Sequence, residues 1–351
     1  MFDVKIVNGI IVDGTGNSRY KSDVGIVGDK IMAIGDLSQK EAKETIDATG
    51  KFVSPGFIDF HTHSDLSLVY DKYTRSRIHT GVTTDVIANC GIGVAPIREE
   101  KKQELIDYLG TRIIGTIPTK LELHWNTMQE YFDYLTENSP AVNVVAYVAQ
   151  GPVRINEMGF SKEPATLEQL KNMKLEVRKA MEAGCVALSS GLVYLPGAYT
   201  KKEEMAELCK ELIPYNGYYI SHIRDEGDEE MEALDEAIHI AKTAGVPLHI
   251  SHLKVMGHKN FGTIDEVFKK LDEAEADGLE VTFDCYPYTA GMTSLGALLP
   301  PWAFEGGVEN MVKRLEVQEN RDRIIKELEE GIPGWQCFYQ LAGGWNGVVL
   351  A

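Results

Sequence analysis

From Phe52 onward the chain repeats one pattern, a short apolar strand followed by helical sequence, and the strand ends fall near His61/His63, Cys90, Gln150, Ser189, His222, His252 and Asp284. The steps between them are about 28, 60, 39, 33, 30 and 32 residues, where a strand, a helix and two loops need roughly 30. Few folds accept such a period. A serial strand–helix repeat makes a parallel sheet covered by helices, either open and doubly wound or closed into a (β/α)8 barrel. No G-x-G-x-x-G follows the first strand, which weakens the dinucleotide-binding version. The long second step holds extra helical sequence around residues 128–135.

The intervening helices carry start signals. Thr166 with Gln169, and Thr200 with Glu203, have capping-box spacing. After Thr166, the residues Leu167, Leu170, Val177, Ala180 and Met181 fall on one helical face. The first fifty residues read differently, as an all-β unit of alternating strands with two-residue turns expected at Asn8-Gly9 and Gly28-Asp29. The expected division is therefore 1–54, part of a small β-sandwich, and 55–351, the strand–helix domain.

With 35 basic and 53 acidic residues the net charge is −18. An acidic surface of this size repels phosphate backbones and anionic lipid, so neither nucleic acid nor a membrane is an expected partner. The start has no signal-peptide pattern and no apolar run approaches membrane-spanning length, so a soluble, cytoplasmic protein is expected. Five cysteines, odd in number and widely spaced, suit reduced thiols.

His61 and His63 lie two apart at the end of the strand Phe57-Ile58-Asp59-Phe60, so their imidazoles project from one face. Alone, such a pair is as readily two loop histidines as a metal site. Cys90, His222 and His252 close later strands, and in a barrel all these ends converge on one rim. Cys90 alone would be an ordinary buried thiol; together, four histidines and a thiol point to zinc. A coordination position left for water would make the reaction a metal-assisted hydrolysis of an amide or similar bond. His249 is expected to face the helices as a structural residue, and His79, His124, His239 and His258 to be peripheral. Ser189 and Ser190, before Gly191, read as a turn.

The stretches Ser54-Pro55-Gly56-Phe57-Ile58-Asp59-Phe60-His61-Thr62-His63-Ser64-Asp65, Gly81-Val82-Thr83-Thr84, Asn89-Cys90-Gly91, Ser189-Ser190-Gly191-Leu192, Ser221-His222-Ile223-Arg224-Asp225-Glu226, Ser251-His252-Leu253-Lys254 and Asp284-Cys285-Tyr286-Pro287-Tyr288 resemble, in order, the D-aminoacylases of the amidohydrolase superfamily. The resemblance implies an amidohydrolase-type (β/α)8 barrel beside a small β-sandwich, and zinc-dependent hydrolysis of N-acyl-D-amino acids, small-molecule substrates. It places the tighter metal on His222 and His252, gives Cys90 a bridging position, and assigns His61 and His63 to a second, weaker metal. By the same resemblance Lys254 and Tyr286 meet the substrate, and Arg224, two residues beyond His222, is a plausible helper. Met292 stands where the family often has a serine.

Seven strands are countable, and the eighth is expected to bring the catalytic aspartate. The only aspartate after Asp284 is Asp322, in a helical run. The chain is therefore expected to be an N-terminal part of such an enzyme, with its acid–base residue beyond Ala351. Two alternatives stand beside the deacylase: a cyclic amidohydrolase of dihydroorotase or hydantoinase type, which usually bridges its metals with lysine, and an inactive metal-binding protein.

Overall fold

The computed structural model describes residues 1–110 and 122–350. Two compact units divide at residue 57. The first, Met1–Phe57, is one mixed sheet of β1 (Phe2–Ile11), β2 (Tyr20–Val27), β3 (Lys30–Gly35), β4 (Ala42–Asp47) and β5 (Phe52–Val53). Its order is β3-β2-β1-β4, with β5 also on β1. The β2–β3 hairpin turns at Gly28, φ 59°, where the sequence predicts it. Asn8-Gly9 does not turn the chain. Asn8 takes φ 64° inside a continuous β1, and the register against β2 shifts between Ile6 and Gly9, so the same positive-φ residue makes a bulge.

The remaining strands are β6 (Phe57–Asp59), which starts at the division, and, in the second unit, β7 (Val82–Ile87), β8 (Asn143–Ala146), β9 (Val148–Ala149), β10 (Ala187–Gly191), β11 (Tyr218–His222), β12 (Leu248–Ile250) and β13 (Val281–Phe283). Two sheets run β6-β7-β8 and β9-β10-β11-β12-β13, and the ladders from β7 to β13 are parallel. Only Tyr147 separates β8 from β9, and its N–H reaches Ile87 O at 3.1 Å. The strands thus occupy seven successive positions in chain order.

Alternation along the strands makes two apolar layers. Val86, Ala88, Tyr147, Ala149, Ala187 and Ile220 form a small inner cluster. Ile87, Val148, Leu188, Tyr219, Leu248 and Ile250 join the large core that the helices cover. The sheet curls: the Phe60 ring, just past β6, lies 4.9 Å from His249 on β12, and His61 reaches Asp284 at 3.1 Å. First and last strand ends meet, as in a TIM-type barrel.

Helix Leu167–Glu182 starts from the predicted capping box, with Thr166 Oγ1 accepting from Gln169 N and Gln169 Oε1 from Thr166 N. Met173, Val177, Ala180 and Met181 are buried, whereas Leu167, the first helical residue, is 89% exposed. Thr200 caps nothing. Its hydroxyl accepts from Gln150 Nε2 at 2.8 Å, and the next helix, Lys202–Cys209, begins from Lys201.

Candidate metal centre

Cys90 is presented by a turn that the backbone alone would not favour. Ala88, Cys90 and Gly91 have φ of 65°, 54° and 67°, and a left-handed residue other than glycine costs about 1 kcal/mol or more. The turn is clasped from β10. Ser189 Oγ donates to Ala88 O and accepts from Gly91 N at 3.1 Å, bridging both sides of the thiol. Asn89 Nδ2 ties the same turn to Val86 O at 3.0 Å and Thr62 O at 3.3 Å. A Cβ on Gly91 would lie 2.7 Å from Gly191 N, and one on Gly191 would lie 2.2 Å from Cys90 O. Ser189-Ser190-Gly191 is therefore strand rather than turn, and its small side chains admit the Cys90 loop.

The five predicted ligands come together in two groups that share the thiol. His61, His63 and Cys90 have ligand atoms within 4.8 Å of one another, and so do Cys90, His222 and His252. Sγ lies 3.2 Å from His61 Nε2 and 3.4 Å from His252 Nε2. Both ring nitrogens of buried His222, and Nδ1 of His63, lack hydrogen-bond partners among the described residues. Buried polar atoms are normally satisfied, so these nitrogens are ready ligand atoms. Imidazoles around a thiol suit zinc.

His249 corrects the parity argument. It pairs with inner-layer Ile220 and bonds Asp284 Oδ2 through Nε2 at 2.9 Å, so it faces inward and not toward the helices. Strict alternation would then turn His252 outward. β12 ends at Ile250, and His252 takes φ 38°, which returns its ring to the inner side.

Two carboxylates stand behind the histidines. Asp284 Oδ2 meets His61 Nδ1 at 3.1 Å, and its Oδ1 accepts from His252 N at 2.8 Å. Glu226, 3% exposed, meets His252 Nδ1 at 2.9 Å and Lys254 Nζ at 2.5 Å through Oε1, while Oε2 lies 3.7 Å from His222 Nε2. Sequence reasoning gave neither a role. Both sit in strand-end stretches quoted above, but a carboxylate four residues after His222 has no periodic relation to it outside a helix.

Charge in this cluster is strongly coupled. Burial opposes the Cys90 thiolate, but positive charge on His61 and His252 outweighs it and lowers the thiol well below its usual range. Burial likewise opposes the Glu226 carboxylate, yet His222, Lys254 and His252 hold it ionised far below the ordinary carboxylate range. His252 is raised to about 8: burial disfavours its cation, and Glu226 and Cys90 overcome that. Burial dominates at His222 and lowers it.

Lys254 and Tyr286 share the rim, with Nζ 5.5 Å from the Tyr286 ring centre. Arg224 does not join them. Its guanidinium donates to Glu236 through Nε (2.8 Å) and Nη2 (3.0 Å), to Leu192 and Ala198 carbonyls through Nη1, and to Thr200 O through Nη2. All five donors are engaged, and Arg224 braces the loop 192–200 instead of meeting a substrate. Met292 is exposed, and neighbouring Thr293 pairs its hydroxyl with Tyr194 Oη at 3.1 Å. Asp322 is a surface residue accepting from Gln318.

Comparison with known proteins adds independent support. The chain is 36% identical over 294 residues to a D-aminoacylase of Alcaligenes xylosoxydans xylosoxydans, covering 84% of this chain and 59% of that protein. A D-aminoacylase structure solved for the role of its binuclear metal centre superposes with TM-score 0.77 at 35% identity, over 85% of this chain and 62% of that one. An N-acyl-D-glutamate deacylase from Bordetella bronchiseptica, complexed with zinc and a phosphonate inhibitor, gives TM-score 0.74 at 33% identity, over 82% and 59%. The chain thus spans about three-fifths of these relatives. Residues 44–316, from β4 past β13, match the amidohydrolase family as a continuous block, and the chain belongs to that family.

Proposed function

We propose that the chain carries the metal and substrate-carboxylate site of a zinc-dependent N-acyl-D-amino-acid deacylase. One observation carries this reading: a thiol shared by two imidazole groups, with an ammonium group beside one of them. Cys90, His222 and His252 would hold the tighter ion, and His61, His63 and Cys90 the second. Zinc there would supply Lewis acidity toward a carbonyl and a hydrolytic water at neutral pH. The chain's own residues do the rest of what is on the rim. Asp284 orients His61, and Lys254, over Tyr286, receives the substrate carboxylate. The shared thiol disfavours the cyclic-amide alternative, whose members usually place a lysine there. Five free cysteines, four of them buried, favour a reducing, cytoplasmic setting. No helix among the described residues is long and apolar enough to cross a membrane.

The test is zinc content by atomic absorption together with binding of paired N-acetyl-D- and N-acetyl-L-amino acids to the same preparation, read by calorimetry. The expected result is bound zinc and a D preference of at least about tenfold. Equal or L-preferring binding would overturn the reading.

A further inference from the structure

Glu226 lies outside both ligand groups, yet its one buried carboxylate touches what each side of the site needs. Oε1 is 2.9 Å from His252 Nδ1 and 2.5 Å from Lys254 Nζ, and those two nitrogens are 3.0 Å apart. His252 Nε2 faces Cys90 Sγ. An imidazole offering Nε2 to a metal must carry its proton on Nδ1, and Oε1 is the acceptor placed to hold it there. Glu226 is itself anchored: its N–H donates to Gln336 Oε1 at 3.0 Å, and its carbonyl accepts from Met256 N at 2.6 Å.

We propose that Glu226 is a positioning residue joining the metal centre to the carboxylate clamp. It holds His252 in the metal-binding tautomer and holds Lys254 within reach of the same ring. A substrate carboxylate arriving at Lys254 must share that ammonium with Oε1. The inference rests on the zinc reading above and concerns Glu226, to which that reading gives no role.

The test compares E226A and E226Q with the unsubstituted 351-residue chain. Zinc affinity is measured by competition with a chromogenic chelator, folding by circular dichroism, and Kd for an N-acetyl-D-amino acid against that for its carboxamide by calorimetry. Losing an outer partner of a metal-bound histidine weakens affinity about 10–100-fold. E226A is expected to show that loss. E226Q keeps an amide oxygen for Nδ1–H and should recover most of it. E226Q also removes the negative charge beside Lys254, so Kd for the acid should fall relative to the carboxamide. If E226A does not fold, E226D, whose shorter side chain cannot span to Nδ1 without strain, is expected to show the zinc loss. Zinc affinity within twofold in E226A overturns the proposal, as does a loss in E226Q equal to that in E226A. Turnover is not needed for the zinc measurement. A chain that binds zinc but does not distinguish N-acetyl-D- from N-acetyl-L-amino acids refutes the function proposed above and still decides the role of Glu226.

Discussion

Cys90 belongs to both ligand groups, so its loss should be felt at both. Replacing it with serine is expected to reduce bound metal at each position, read as stoichiometry by atomic absorption; loss at one position alone would mean the thiol is not shared. Ser189→Ala removes the hydroxyl that clasps both sides of the Cys90 turn and should cost about 1–3 kcal/mol in urea unfolding. An unchanged midpoint would show that the turn holds without it. Lys254→Met should raise Kd for an N-acyl-amino acid about 10–100-fold with little change for the carboxamide, the value of a hydrogen bond to a charged group. The convergence of Cys90 with His61, His63, His222 and His252 is readable at this scale because strand ends converge whatever the connecting loops do. His249 was not: parity fails once His252 leaves the strand at φ 38°. Arg224 was misread because spacing along the chain says nothing about donors already spent on loop carbonyls and Glu236.

Elements obeyed the period-two and period-3.6 patterns wherever packing was local. Seven strands and the helix after Thr166 follow directly from apolar spacing, while Thr200 and Asn8-Gly9 answer to neighbours distant in sequence. Glu230, the first residue of helix Glu230–Ala244, gives a prediction here. It is buried, and its carboxyl is raised to about 8, by burial first and then by the negative charge of Glu226. Unfolded, it ionises near 4.5. Between these values the folded state keeps a proton that the unfolded state has lost, so the favourable contribution is full below about 4.5 and disappears as pH rises through about 8. Glu230→Gln should therefore stabilise the chain progressively from pH 5 to pH 9, by about 1–3 kcal/mol at the upper end in urea titrations. A difference independent of pH would refute this.

Taken whole, the molecule sets charge repulsion against exposed apolar edges. β6 and β13 end the hydrogen-bonded orders, and Ile58 and Phe283 on them are 65% and 45% exposed. Unpaired edges with apolar side chains invite strand addition, and a net charge of −18 opposes it. Salt shortens the screening length from about 30 Å at 0.01 M to about 3 Å at 1 M. Light scattering should therefore report a mass that rises with salt, and Phe283→Lys should suppress the rise. A mass constant across that range would mean the edges do not associate.

The interlock of Gly91 with Gly191 constrains how this sequence can diversify. Neither glycine can acquire a side chain while the other backbone stays where it is, since the added carbon would sit 2.7 Å or less from main-chain atoms. In a saturation-mutagenesis library these two positions should tolerate fewer replacements than the leucines of the core, which can trade volume with their neighbours. Two residues with no side chain at all are then among the least negotiable letters around the thiol, and drift there is confined to the surfaces facing away from them.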